Sequence, residues 1–403
     1  MEKVVVVGGG QAGASCVAKL RELGFEGAIT LLGREPAPPY QRPPLSKKYL
    51  LGEMELDRMY LRPVSYYAEQ RIELVLGDPV VEIDAPGQRV RHGSQWMDYD
   101  ALVLATGSEP RRLPAAIGGD LGGVHVVRTL YDVDHMAPEF VPGRRALIVG
   151  GGYIGLEAAA VAAAKGLQVT LVEMAERILQ RVASAETASF FRDLHTGHGV
   201  EIVEGVGLSA LTAGKDGRVA GAVLSDGREI EIDFAIVGVG IDPDTALAEA
   251  AGCTIDNGIA TDTQGRTSVP GIWAAGDCAS FPYRDGRVRL ESVPNAIDQA
   301  EVVAENILGA GKDYAAKPWF WSDQFDVKLQ IAGLSTGYDR VVTRPGAKGG
   351  TSFWYFRGAE LLAVDAANEP RAYMIGKRMI EAGNSPAPEA LADPAVDLKS
   401  LMR

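Results

Sequence analysis

Val4-Val5-Val6-Val7-Gly8-Gly9-Gly10-Gln11-Ala12-Gly13 and, further along, Ala146-Leu147-Ile148-Val149-Gly150-Gly151-Gly152-Tyr153-Ile154-Gly155 decide how this chain is read. Each is a short apolar run passing into a Gly-x-Gly-x-x-Gly turn. The valine run suits a strand buried on both faces of a parallel sheet. After the turns, residues 14–23 and 156–165 carry helical spacing, and each is followed by another apolar strand, 29–32 and 169–172. A lone glycine fingerprint is weak, but one held between a strand and a helix reads as a dinucleotide-binding βαβ unit. Gly8 permits the tight turn, Gly10 lets backbone approach a pyrophosphate, and Gly13 allows close packing of helix on strand, with Ala12 inside the turn. Gly150, Gly152 and Gly155 repeat the pattern around Tyr153 and Ile154. In both, the helix start offers free N–H groups and partial positive charge to phosphate.

Two copies about 140 residues apart in a 403-residue chain imply two dinucleotide-binding domains. The first copy closes on an apolar strand, 101–105, running into Thr106 and Gly107; the second closes on 235–239, running into Gly240. A further strand, 271–275, leads to Gly276 and Asp277, and 292–308 reads as a helix. The prolines at 36, 38, 39, 43 and 44 exclude helix and predict a rigid loop. From Trp319 the texture changes to aromatic, alternating segments, which predict an antiparallel sheet in a third, α+β domain. The Pro-, Ala- and Asp-rich end reads as a loosely held tail. The expected class is α/β: two Rossmann-like domains, 1–110 with 243–318 and 111–242, followed by a C-terminal domain, 319–403.

Composition narrows the function. A net charge of −13 argues against nonspecific binding to nucleic acid or anionic membrane. No segment reaches about 18 consecutive apolar residues, so no membrane span is expected. Cys16, Cys253 and Cys278 have no paired spacing, which argues against a disulfide framework and against a redox dithiol. With an N-terminal valine run too short for a secretory segment, a soluble cytoplasmic protein is expected. The second βαβ strand ends at Glu173, where a carboxylate accepts hydrogen bonds from an adenosine ribose and repels a 2′-phosphate, favouring NADH; Arg177 nearby pulls the other way. In the first unit either Arg34 or Glu35 meets the adenosine, and the sequence leaves that open.

The stretch Pro39-Tyr40-Gln41-Arg42-Pro43-Pro44-Leu45-Ser46-Lys47 narrows this further, together with both fingerprints, Ala105-Thr106-Gly107, Gly276-Asp277-Cys278 and Trp319-Phe320-Trp321-Ser322-Asp323-Gln324. With these motifs the chain resembles, over essentially its whole length, the single-chain ferredoxin reductases of the putidaredoxin reductase and aromatic-ring dioxygenase type. The resemblance implies a glutathione-reductase-like fold with an FAD domain, an inserted NAD domain and a C-terminal interface domain. It implies that Lys47 lies beside flavin N5, that Glu157 pairs with Lys47 and turns the nicotinamide toward the flavin, and that Trp321 covers the flavin edge. It further implies that Arg42 meets the FAD pyrophosphate, that Thr106, Asp277 and the backbone of Val293 contact flavin and ribityl, and that Val81 and Arg128 contact adenine and phosphate. The family usually has an acid where this chain has Arg34.

The function so implied is hydride transfer from NADH to FAD, then single electrons to a small [2Fe–2S] ferredoxin serving a cytochrome P450 or a Rieske oxygenase, in a monomer or weak homodimer. An acidic ferredoxin needs a local basic patch, for which Arg284, Arg287, Arg289, Lys317 and Lys328 are candidates. The alternatives are an NADH oxidase or quinone reductase, and an NADH-sensing flavoprotein akin to apoptosis-inducing factor.

Overall fold

The computed structural model describes residues 1–346 and 349–402, and the chain divides into two compact units. The first comprises Met1–Arg42, Glu55–Glu109 and Ile241–Pro318; the second comprises Pro43–Met54, Pro110–Gly240 and Trp319–Arg403. The segment Pro43–Met54, which the sequence reading places with the first dinucleotide-binding region, therefore groups with the second unit.

In the first unit a five-stranded parallel sheet runs in the order Ile272–Ala274, Ala101–Leu104, Lys3–Val7, Ala28–Gly33, Ile72–Leu76. Its central strand is buried on both faces, as the valine run requires. Val4 and Val6 join one core with Cys16, Val17 and Leu20 of the helix Gln11–Glu22 and Ala300, Val303 and Ala304 of the helix Val293–Ile307. Val5 and Val7 face the other way, against Leu102, Leu104 and Ala274. Each such buried Val or Leu contributes about 1.5–3 kcal/mol.

The second unit repeats the plan with a five-stranded parallel sheet ordered Glu201–Glu204, Gln168–Glu173, Arg145–Val149, Phe234–Val237, Val124–His125. Its first helix, Tyr153–Ala164, is alanine-rich and buried along most of its length, so small side chains let it sit tightly against the sheet. A three-stranded antiparallel layer, Leu208–Ala213, Val219–Leu224 and Glu229–Glu231, packs Leu211, Val219 and Leu224 against Leu147 and Val149. The helix Ala185–Gly197, which the sequence reading did not single out, starts at Ser184, whose hydroxyl accepts from Thr187 N at 3.2 Å.

The C-terminal part forms the expected antiparallel sheet, ordered Trp319–Gln324, Val327–Gly333, Glu360–Ala367, Thr351–Arg357, Arg340–Pro345. The helix Pro370–Glu381 covers one face through Ala372, Ile375 and Met379.

Two expectations need correction. The proline-rich stretch is not loop throughout, because its last two prolines open the 3-10 turn Pro43–Ser46; a helical turn, Lys48–Leu51, follows beyond it. Proline suits a first turn, where its missing N–H has no partner to lose. The tail is not loosely held either. Arg344 donates to the carbonyls of Leu391 at 2.9 Å, Asp393 at 2.7 Å, Pro394 at 3.2 Å and Val396 at 2.6 Å, while Leu391 and Leu398 enter the core. Composition could not reveal a tether made by one distant guanidinium.

Candidate functional site

In the first unit the glycine turn has the geometry of a phosphate cradle. Gly8 has φ +122°, and a Cβ there would stand 2.0 Å from the Ala105 carbonyl, so only glycine fits. A Cβ on Gly13 would meet the Gly8 carbonyl at 2.0 Å, which is the tight helix seat expected of it. Gly10, by contrast, has open space beside it and caps the helix without any side-chain hydrogen bond, leaving the helix-start N–H groups to a ligand. Gly276 donates to Gln299 Oε1 at 2.9 Å and lies against Ala12, so the Gly276–Asp277 turn and the glycine turn come together. Thr106 Oγ1 donates to the Asp244 carbonyl at 2.6 Å, and Asp244 N donates to Gly107 O. Val293 opens a helix whose N-cap is Ser292. Val81 is half exposed on the strand Val80–Asp84.

The pair left open in the sequence is divided. Glu35 accepts from Arg42 Nη2 at 2.6 Å and from the Tyr40 hydroxyl at 2.5 Å, and so orients Arg42. Arg34 instead pairs with Glu109, with Asp244 at 3.9 Å. Of the candidate basic patch, Arg287 bonds the Thr261 carbonyl at 2.9 Å, and Arg289 pairs with Glu291 at 2.6 Å and with the Asp277 carbonyl at 3.2 Å. Both guanidiniums thus also hold their own loops.

The second unit repeats the cradle. Gly150 has φ +105° with the Gly238 carbonyl 2.4 Å from where a Cβ would be, Gly152 faces open space, and again no side chain caps the helix. Glu173 does more than end its strand. Its Oε2 accepts from Gly151 N at 2.7 Å and its Oε1 from Ala175 N at 2.8 Å, so it holds the glycine turn, while each oxygen keeps a lone pair for a further donor. Arg177 spends its guanidinium on the carbonyls of Ala183 at 2.9 Å and Ser184 at 3.2 Å. Gly240, with φ +109°, sits between the guanidinium groups of Arg111 and Arg181, two residues that sequence reading missed. Arg128 N donates to Asp132 Oδ2 at 3.2 Å, just before the helix Leu130–Met136.

Glu157, in the second turn of the helix Tyr153–Ala164, is the centre of a buried polar knot. Lys47 Nζ lies 2.9 Å from its Oε1, the Ser46 hydroxyl donates to Oε2 at 2.8 Å, and the Ser322 hydroxyl donates to Oε1 at 2.7 Å. The proline-led turn Pro43–Ser46 delivers Ser46 and Lys47, and the Lys47 ammonium also approaches the Pro43 carbonyl at 3.4 Å. Their side chains are 15% and 5% exposed for Lys47 and Glu157, so this charge pair is held largely away from water. Trp321 lies partly exposed between Trp319, at 5.6 Å between ring centroids, and Phe320, at 6.4 Å, and is not a core residue. Tyr153 packs on Phe320 at 5.2 Å, and Ile154 is exposed. Ser46 and Ser322 were not assigned a role from sequence; each lies inside a quoted motif, but a serine carries no signal of its own there.

Two glycine cradles, each opening an uncapped helix at the end of a parallel strand, define a protein that binds two dinucleotides. All three cysteines are buried free thiols, and burial pushes the Cys16 thiol up to about 12, so no dithiol serves the chemistry. The pyridine nucleotide-disulphide oxidoreductase model matches residues 2–300, and the reductase C-terminal model matches 319–402. The chain is 42% identical to the rhodocoxin reductase of Rhodococcus erythropolis over 400 residues, covering 98% of this chain and 93% of that one. It is 43% identical to a ferredoxin–NAD(P)(+) reductase of a Sphingomonas species over 406 residues, covering 99% and 97%. The structure of the covalent putidaredoxin reductase–putidaredoxin complex superposes with a TM-score of 0.96 at 39% identity, covering 100% of this chain and 98% of that one. The chain belongs to the pyridine nucleotide-disulphide oxidoreductase family and has the glutathione-reductase-like fold. It is an FAD- and NADH-dependent oxidoreductase. Among the described residues no helix is long and apolar enough to cross a membrane.

Proposed function

We infer that this protein takes hydride from NADH and passes electrons singly to a small [2Fe–2S] ferredoxin that serves a cytochrome P450 or a Rieske oxygenase. Bound FAD supplies the conversion of a two-electron donor into one-electron steps. The observation that carries the reading is the buried Lys47–Glu157 pair with its two serine hydroxyls. Lys47 presents a fixed ammonium to the negative charge that accumulates on reduction, and Glu157 keeps it aimed. Glu157 also sits one helical turn beyond the second cradle, where a carboxylate can orient a carboxamide edge. No covalent step is needed, so positioning supplies most of the acceleration.

We assign 1–110 with 243–318 to FAD, 111–242 to NADH and 319–403 to the ferredoxin interface. In the first, Gly8–Gly13, Arg42, Thr106, Asp277 and the Val293 backbone would hold FAD; in the second, Gly150–Gly155 and Glu173 would hold NADH. Trp321 would shield the flavin edge. The protein acts as a cytoplasmic monomer or weak homodimer. Stopped-flow reduction of the bound flavin by NADH tests the site directly. Lys47→Ala is expected to slow it by about a hundredfold, and a wild-type rate in that variant would remove Lys47 from the mechanism.

A further inference from the structure

The knot around Glu157 does not end at Ser322. Ser322 and Gln324 alternate with Asp323 on the strand Trp319–Gln324, so their side chains share one face. Gln324 Nε2 donates to Ser322 Oγ at 3.1 Å, and Gln324 Oε1 lies 2.8 Å from His195 Nε2, in the last turn of the helix Ala185–Gly197. Ser322, Gln324 and His195 are each fully buried. Three elements, a nucleotide-binding helix, a sheet strand and a second helix, are thus joined by one hydrogen-bonded chain.

The chain can run in only one direction. A carboxylate paired with an ammonium only accepts, so the Ser322 hydroxyl must donate to Glu157. Its oxygen then faces Gln324 as an acceptor, which requires the amide N–H there and turns the amide oxygen toward His195. His195 Nε2 must therefore carry the proton, and the ring is the neutral Nε2–H tautomer. Burial agrees, pushing the imidazole down to about 4. The other nitrogen, Nδ1, is buried with no hydrogen-bond partner among the described residues. A phenyl ring would fill that space without orphaning a nitrogen, so what histidine adds is its Nε2–H. The ring is also fixed edge-on to Phe325, 5.0 Å away.

We propose that Gln324 and His195 are positioning residues for NADH oxidation, fixing the Glu157 carboxylate through Ser322 by a donor chain of single polarity. Aligned donors polarise one another, so every link is strengthened, the last one onto Glu157 included. The proposal rests on the reading that Glu157 takes part in hydride delivery.

The test uses the FAD-loaded protein. In stopped-flow reduction by NADH, Gln324→Leu is expected to lower the limiting rate roughly tenfold or more, with NADH affinity little changed. Added to Glu157→Ala, it should cause no further slowing. His195→Gln, which keeps an amide donor, should retain more of the rate than His195→Phe. Separately, nitrogen NMR of the wild-type protein carrying labelled histidine should show His195 as a single Nε2–H tautomer. A Nδ1–H or mixed ring overturns the chain without reference to turnover. A wild-type rate in Gln324→Leu, or slowing that simply adds to that of Glu157→Ala, overturns the positioning role while leaving Glu157 in place. A wild-type rate in Glu157→Ala would instead overturn the reading beneath it, and the proposal with it.

Discussion

Glu173 shows how one carboxylate can serve two ends. Its hydrogen bonds to Gly151 N and Ala175 N tie the second glycine turn to the strand end, and under the proposed function the remaining acceptor capacity of its two oxygens serves the NADH ribose. Arg177, the neighbour that in sequence argued for a 2′-phosphate, is occupied by backbone carbonyls. Glu173→Ala should therefore narrow the preference for NADH over NADPH and also raise KM for both, because the turn loosens. An unchanged NADH/NADPH ratio in steady-state kinetics would sink the ribose assignment. The place of Glu173 at its strand end, beside the glycine turn, was legible in sequence because the fingerprint fixes its distance from the turn. The contacts of Ser322 with Glu157 and of Gln324 with His195 were not, since each joins residues more than a hundred positions apart and neither forms a pattern along the chain.

At the scale of elements, the helix Ala185–Gly197 is docked at both ends by buried polar contacts, His195 at one and Thr187 at the other. Thr187 Oγ1 donates to Asp365 Oδ2 at 3.0 Å, and Tyr355 donates to the same oxygen and accepts from Ser184 N at 3.0 Å. Burial raises the Asp365 carboxyl from 3.8 to about 6. A raised folded-state pKa favours the protonated form, so its stabilising contribution is complete below about 4 and is lost as pH climbs through about 6, a change on the order of 3 kcal/mol. Asp365→Asn keeps an acceptor for both hydroxyls and stays neutral. Its thermal stability should gain on the wild type between pH 4 and 7, whereas parallel curves for the two proteins would contradict this. The strands and helices that carry the site were readable from apolar runs and glycine turns. The docking of the helix Ala185–Gly197 and of the tail was not, because Gln324, Tyr355 and Asp365 hold the one and Arg344 the other from far along the chain, whereas the three-stranded layer is a local pairing of consecutive strands that was simply not singled out.

For the whole molecule, the repeated βαβ lead predicted both parallel sheets, and the aromatic texture after Trp319 predicted the antiparallel one. The net charge of −13 sets a problem for any acidic partner, which must meet a local positive region. Ferredoxin-dependent electron transfer should slow as ionic strength rises, while flavin reduction by NADH should respond far less. Equal salt dependence of the two half-reactions would place the charge effect elsewhere than at docking. The most direct test of the whole account is cytochrome c reduction by NADH, with and without added [2Fe–2S] ferredoxins of putidaredoxin and Rieske types. The account predicts a large increase with one ferredoxin, which also identifies the oxygenase system served. Rapid flavin reduction by NADH with no response to either ferredoxin would contradict it and point to an oxidase, a quinone reductase or an NADH sensor.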